Sequence, residues 1–411
     1  MIRRCLPFAL TLGLAAPALA QPSPEALQAQ IEALASEVNR LRESLAVPEE
    51  EAKKSVFGLG PAASKVYAQD GLSIGGYGEL FLGHALGDDG ARAAHRGDVY
   101  RFIAYFGYKF DDRVVFNTEI EFEHATEAVV EFMYVDLLLS PWANLRTGLM
   151  LMPVGIVNEM HEPTTFRGNF RPAVERSIIP STWREAGLMV FGALPAGLDY
   201  KLGVVSGLLA TPSDGGGFGP AGIRGGRQNG SQFRWEDKAV VGRLEWSGDA
   251  LTVGASGYYG GADQDPDEAS EVTVLLYEAH AMLRLAGAEL RGLFAESHIG
   301  GAETISSLEA GAVPEKQRGF YVEASYALGP VLGFERTGLS PFVRVERLDL
   351  QVEVPAGYAV DAGQNSTWVT AGLEYKPHPD VVFKGEYERV QSDVEAGEPV
   401  QELRLGVGFI F

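Results

Sequence analysis

Val114-Val115-Phe116-Asn117-Thr118-Glu119-Ile120-Glu121-Phe122-Glu123 alternates along its length. Val114, Phe116, Thr118, Ile120 and Phe122 fall on one side, and Asn117, Glu119, Glu121 and Glu123 on the other. A helix would spread those carboxylates over several faces, whereas a strand puts them on one. Residues 400–411 repeat the pattern, with Leu403, Leu405, Val407, Phe409 and Phe411 set against Glu402, Arg404, Gly406 and Gly408.

Working outward with this period predicts strands near 72–82, 99–110, 113–124, 129–139, 143–151, 186–194, 197–208, 237–247, 250–259, 272–285, 288–298, 318–328, 338–349, 366–376, 380–390 and 400–411. Such lengths suit tilted membrane strands and exceed the ~5–6 residues usual in soluble sheets. The connections alternate. Short ones carry turn residues, as at Asp111-Asp112, Ser140-Pro141-Trp142, Gly248-Asp249 and Pro377-His378-Pro379; the others are long. Loop 125–128 is short where a long one is due, and turn 329–337 is long. Short turns at one end and long loops at the other mark an outer-membrane barrel. The predicted fold is all-β: a sixteen-stranded antiparallel transmembrane β-barrel over 72–411, preceded by a short N-terminal coiled-coil helix.

Parity assigns the inner wall. Its basic residues are Arg101, Lys109, Arg146, Lys201, Arg243, Arg284, Arg291, Arg344, Lys384 and Arg404. Its acidic residues are Glu119, Glu121, Glu123, Glu131, Glu245, Glu278, Glu289, Glu323, Glu346, Glu374, Glu386 and Glu388. Sixteen strands enclose a space too wide for wall side chains to fill, so a wet, mixed-charge lumen is expected, with the apolar band facing lipid. Leu137-Leu138-Leu139 is apolar on both faces and Asp136 has the wrong parity, which suggests a bulge or a subunit contact.

Composition agrees. Of 411 residues, 50 are Gly, and the net charge is −21. No basic patch dominates, so nucleic acid is not an expected partner. Residues 1–20 read as a secretory signal: Arg3 and Arg4, an apolar run, Pro17, then Ala18-Leu19-Ala20. The single cysteine, Cys5, leaves with it, so the mature chain has no disulfide, thiol nucleophile or thiolate metal site. In 25–46, Leu27, Ile31, Leu34, Val38, Leu41 and Leu45 form a heptad seam. The alternative is an amphipathic helix lying on its own domain. Residues 47–71, with Pro48 and Gly58-Leu59-Gly60-Pro61, read as a linker.

Three stretches resemble porins of the phosphate-selective O/P superfamily: Gly75-Gly76-Tyr77-Gly78-Glu79, Tyr105-Phe106-Gly107-Tyr108 and Glu119-Ile120-Glu121-Phe122-Glu123-His124. So does MPVGIVNEMHEPTTFRGNFRPAVERSIIPSTWREAG, residues 152–187, and the terminal Phe411 resembles the barrel-insertion signal of Gram-negative outer-membrane proteins. The resemblance implies a homotrimer in outer-membrane lipid, passing small hydrophilic solutes or ions, with the N-terminal helix periplasmic. Phosphate-selective members use lysine ladders and an arginine-rich constriction; the mixed wall here departs from that pattern.

Loop 152–185 is the longest connection and is neither low-complexity nor purely polar. Long loops in compact folds are usually functional or disordered. It is expected to fold into the lumen on its apolar residues and to present His161, Glu162, Arg167, Arg171, Glu175, Arg176, Arg184 and Glu185 at a constriction. The facing wall would supply Arg101, Glu119, Glu121, Arg243, Glu245, Arg344, Glu346, Lys384 and Glu386. Alternatively, the loop charges only pair with one another to hold the loop.

Enzyme motifs are weak. Ser206 and Ser256 lack the G-x-S-x-G context, and His280 faces the lumen by parity. His161-Glu162 opens like a zinc-protease motif but continues with Pro163 and has no second His four residues on. Asp263, Asp265, Asp267 and Glu268 could bind Ca²⁺ but read better as a solvated acidic loop. The glycine-rich 209–236 loop reads as a flexible surface loop. No catalytic residue, cofactor or metal is expected. The functional expectation is a passive diffusion porin. The alternatives are a closed barrel acting as a surface scaffold or adhesion protein, and, behind it, an outer-membrane hydrolase.

Overall fold

The strands are β1 (Gly71–Leu86), β2 (Arg96–Lys109), β3 (Val114–Glu123), β4 (Glu127–Ser140), β5 (Ala143–Leu151), β6 (Arg184–Leu194), β7 (Leu198–Ser206) and β8 (Lys238–Ser247). They continue as β9 (Leu251–Gly261), β10 (Thr273–Leu285), β11 (Ala288–Gly300), β12 (Lys316–Tyr326), β13 (Gly338–Glu353), β14 (Asn365–His378), β15 (Val381–Ser392) and β16 (Val400–Ile410). This is a computed structural model, and it describes residues 57–68, 70–86, 95–211, 217–264, 271–308, 311–333, 338–395 and 397–411. The expected signal at 1–20 and coiled coil at 25–46 lie outside the described residues.

The sixteen strands form one closed antiparallel barrel in which each pairs with its sequence neighbours and β1 closes on β16. Phe411 N–H donates to Gly76 O at 2.9 Å, and Gly76 N–H donates back to Phe411 O at 3.0 Å. Closure leaves no free sheet edge, the condition for crossing hydrocarbon with strands. The apolar face points outward: Phe122, Leu403, Leu405 and Leu202 are exposed, while Glu119, Glu121 and Arg404 are buried inside. Exposed Phe110, Trp142, Trp246, Tyr326, Tyr375 and Phe411 ring the short-turn end, as an interfacial aromatic girdle does. The β10–β11 turn is two residues, with Ala286 and Gly287 at φ 51 and 82; two consecutive positive φ values suit the twist of a tight hairpin.

Three features differ from the sequence reading. Residues 57–68, inside the expected linker, carry a 3₁₀ turn (Ala63–Tyr67) packed against β1, β2 and β3. Leu59, Ala62, Ala63 and Val66 are buried there. A short apolar segment beside a wide lumen finds more burial inside than in water. Second, the interior is packed. The inner faces of β1, β2 and β4 present Tyr77, Ile103, Tyr105, Phe132 and Tyr134 to an apolar cluster that includes Met152, Val157, Phe166, Ile179 and Trp183 of the inner loop. Apolar residues on a loop folded inward require apolar partners on the wall. Third, β4 carries a bulge: Glu119 pairs with Phe132 and Ile120 with Val130, leaving Glu131 extra. The bulge shifts the parity, so Phe132, Tyr134 and Asp136 point inward beyond it, which accounts for Asp136.

Candidate functional site

After β5 the alternation stops and the chain turns into the barrel. Asn158 clamps the two stems of the loop: its Nδ2 donates to Met152 O at 2.7 Å and Trp183 O at 3.0 Å, and its Oδ1 accepts from Trp183 N–H at 2.8 Å. Trp183 is fully buried and lies 4.6 Å from Tyr258, centroid to centroid. A short helix, α1 (Ala173–Ser177), carries Glu175. That carboxylate accepts from Ile156 N–H and Val157 N–H at 2.8 Å each and from the Tyr321 hydroxyl at 2.7 Å. Burial pushes the Glu175 carboxyl above the usual range, opposed by those hydrogen bonds. Arg184 and Glu185, expected on the loop, are the first residues of β6.

Wall charges fasten the loop. Arg167 meets Glu374 at 2.5 Å, Asn169 N–H donates to Glu386 at 2.9 Å, and Lys384 Nζ donates to Gly168 O at 2.6 Å and Phe166 O at 3.1 Å. Arg344 joins Glu323 at 3.0 Å and Glu346 at 2.9 Å and also donates to Arg167 O at 3.1 Å. Across the lumen, Lys201 bonds Glu159 at 2.6 Å; Arg243 donates to Gly155 O at 2.6 Å and pairs with Glu245. Arg101 pairs with Glu79 at 2.9 Å and reaches Glu121 at 3.7 Å. Glu162 accepts from Ala62 N–H at 2.8 Å and Ala63 N–H at 3.0 Å, tying the loop to segment 57–68. At the other end of that segment the Tyr67 hydroxyl donates to Asp136 at 2.6 Å, beside Arg146.

A different charge balance holds where the inner loop meets the loop after β7. Among the described residues, none of Arg171, Arg176, Arg184, Arg224 and Arg227 has a carboxylate oxygen within 4.0 Å. Arg224 donates to Arg176 O and Ser181 O, and Arg227 to Pro180 O and Thr182 O. Nε of Arg171, Arg176 and Arg184 is buried without a partner. Burial, then the neighbouring Arg176, holds the Arg224 guanidinium below its usual range. Burial with Arg224 and Arg184 beside it pushes Arg227 down to about 9. Arg101, Arg171, Arg176 and Arg224 share a cavity of about 50 Å³ with the carboxylates Glu79 and Glu123. The glycine-rich loop is thus no free surface loop: Phe218 and Ile223 are buried, and Arg224 and Arg227 are functional candidates that its glycines concealed.

Neither candidate serine is bonded to a histidine. Ser206 Oγ donates to Glu185 at 2.7 Å and Ser256 Oγ to Glu278 at 2.6 Å; both are buried. His280 sits between Glu278 at 2.9 Å and Glu245 at 3.0 Å. His161 comes together with Glu119 and Glu131. Of the acidic group in the loop after β9, 265–270 lie outside the described residues.

No family model matches the chain. An uncharacterized protein of Aquifex aeolicus (strain VF5) is 36% identical over 369 residues, spanning 85% of this chain and 82% of that one. An anion-selective porin from Comamonas acidovorans is 11% identical with a TM-score of 0.55, covering 84% of this chain and 100% of that one. Salmonella typhi OmpF, in complex with daunomycin, is 12% identical with a TM-score of 0.55, covering 83% and 97%. The Acinetobacter baumannii outer-membrane channel DcaP is 10% identical with a TM-score of 0.53, covering 83% and 97%. At these identities the likeness is one of fold, that of outer-membrane porins and channels.

Proposed function

We propose, on the premise that this chain belongs to one family with the uncharacterized Aquifex aeolicus protein and has the barrel of outer-membrane porins, that it is a narrow channel for passive diffusion of small hydrophilic anions. The observation that carries the anion preference is the group Arg171, Arg176, Arg184, Arg224 and Arg227, none of which has a carboxylate oxygen within 4.0 Å among the described residues. Fixed guanidinium groups in a low-dielectric crevice concentrate anions and repel cations. The inner loop is the constriction. Its packing against the wall restricts permeation to small species and keeps the unit conductance low.

The working assembly is a homotrimer in outer-membrane lipid. In this reading residues 1–20 are the export signal. The resemblance of residues 152–187 to porins of the O/P type supports this reading, with arginines taking the role of a basic constriction. The protein is not an enzyme; its lumen charges act by position.

A second reading rests on one observation. Glu119, Glu131, Glu346 and Arg344 on the wall are almost wholly withdrawn from solvent, which favours a barrel closed by its inner loop and acting as a surface scaffold. A salt-gradient bilayer experiment separates the two. The channel gives a reversal potential of anion-selective sign, and the double substitution Arg171→Glu with Arg176→Glu moves it toward cations. An unchanged potential refutes the arginine assignment, and a silent barrel favours the scaffold.

A further inference from the structure

Glu119 on β3, Glu131 on β4 and His161 on the inner loop present ligand atoms that all lie within 4.8 Å of one another. Glu119 and Glu131 are 0% exposed and His161 is 2% exposed. Both oxygens of Glu131 and Oε2 of Glu119 have no hydrogen-bond partner. Among the described residues no arginine or lysine nitrogen comes within 4.0 Å of either carboxylate, and His161 Nε2 is their one cationic candidate. Two buried carboxylates side by side, unpaired, carry a large desolvation and repulsion cost. A bound cation or a proton relieves that cost.

The construction of the site is specific. Glu131 is the extra residue of the β4 bulge, which puts it and Phe132 both inside the barrel. Bulges recur where a side chain must be re-aimed. His161 Nδ1 lies 2.9 Å from Asn158 O. A carbonyl only accepts, so Nδ1 carries a proton and Nε2 is the ring atom turned toward the carboxylates. An outer hydrogen bond of this kind is how metal-ligating histidines are oriented, and Asn158 is itself locked by its three bonds to the loop stems. Nε2 stands 3.5 Å from Glu119 Oε1 and 3.7 Å from Glu131 Oε2. These separations are long for hydrogen bonds. They match the edge of a coordination tetrahedron, about 3.4 Å for ligands ~2.1 Å from a metal.

We infer that Glu119, Glu131 and His161 bind one divalent first-row transition-metal ion of the zinc, manganese or iron(II) class, pinning the inner loop to the barrel wall. One imidazole and two carboxylates suit these ions and not soft copper(I). Three protein ligands leave a fourth position for water. The Tyr77 hydroxyl, whose ring lies edge-on 6.1 Å from that of His161, is buried without a partner and is available to that water.

The test uses the full, tag-free chain refolded in detergent, stripped with chelator, and titrated with Co²⁺ at neutral pH. One Co²⁺ per chain with a visible ligand-field absorption, displaced by Zn²⁺, is expected. Glu131→Gln and His161→Gln should each weaken Co²⁺ binding by more than about 100-fold while heat-modifiable migration shows the barrel intact. Glu123→Gln, on β3 with Glu119 but outside the cluster, should leave binding unchanged. If Glu131→Gln fails to fold, His161→Gln, on the loop, carries the test. Two outcomes overturn the site: no retained Co²⁺ or Zn²⁺ in the unaltered chain, or binding that survives both substitutions. In the first, protons hold the cluster, as an imidazolium or a shared carboxyl. Because the readout is equilibrium binding, it stands apart from whether the barrel conducts.

Discussion

Glu162 is the hinge between the inner loop and segment 57–68, and Glu162→Gln isolates its charge. The carboxylate accepts from Ala62 N–H at 2.8 Å and from Ala63 N–H at 3.0 Å. Both amides donate to Oε1, and Ala62 N–H also reaches Oε2 at 3.1 Å; glutamine keeps one acceptor oxygen, turns an N–H group toward that further contact and removes the charge. Hydrogen bonds to a charged partner contribute about 1.5–3 kcal/mol each. Losing the Oε2 contact and the charge assistance of the other two costs about 1.5–3 kcal/mol, so the segment's opening equilibrium should rise about 10- to 150-fold. Hydrogen exchange measured on peptides covering 57–68 reads this directly, because exchange of protected amides follows the opening population. Exchange should speed by that factor at Ala62 and Ala63, with strand amides of β9 to β12 unchanged. Protection within twofold of the unaltered protein would refute the clamp.

Gly107 lies where an added Cβ would fall on the Val66 methyl and Ser73 Oγ, so Gly107→Val should expel segment 57–68 and make it cleavable by protease without unfolding the barrel. Removing Arg344 leaves the buried Glu346 without its cationic partner and Glu323 with Arg291 alone. Arg344→Met should therefore lower the stability of the refolded barrel by about 3–5 kcal/mol in urea titration, and a loss under 1 kcal/mol would contradict the pairing. Glu175 gives a pH dependence. Its docked carboxyl holds its proton above the ordinary value because it is buried, whereas the undocked carboxyl ionises first. Docking is then unaffected below the ordinary value and weakens as pH rises through the window up to the raised one. Exchange at Ile156 and Val157, corrected for intrinsic rate, should quicken with pH across that window, and Glu175→Gln should abolish the trend.

The strands were legible because a barrel between lipid and charged lumen imposes strict alternation; β5 was read at its observed bounds, 143–151. Even the bulge left a trace, the wrong parity of Asp136. The inner loop was legible from its length and its mixture of apolar and charged residues, and Phe166, Ile178, Ile179 and Trp183 are buried inside. What escaped depends on tertiary placement. Segment 57–68 is too short to show a period, and its glycines and proline look like a linker. Arg224 and Arg227 stand among glycines that read as flexible. Glu119, Glu131 and His161 lie far apart in sequence, and only closure of the barrel around the loop brings them together. A packed interior was illegible for a related reason: wall residues such as Tyr77 and Tyr105 break the polar-inside rule to receive a distant loop.

Conductance of the refolded full chain in a planar bilayer under a salt gradient tests the central claim most directly. Small stepwise openings in multiples of three, with a reversal potential of anion-selective sign, are the expected result. A barrel that inserts and is heat-modifiable yet never conducts, or one that conducts with cation selectivity, would contradict it.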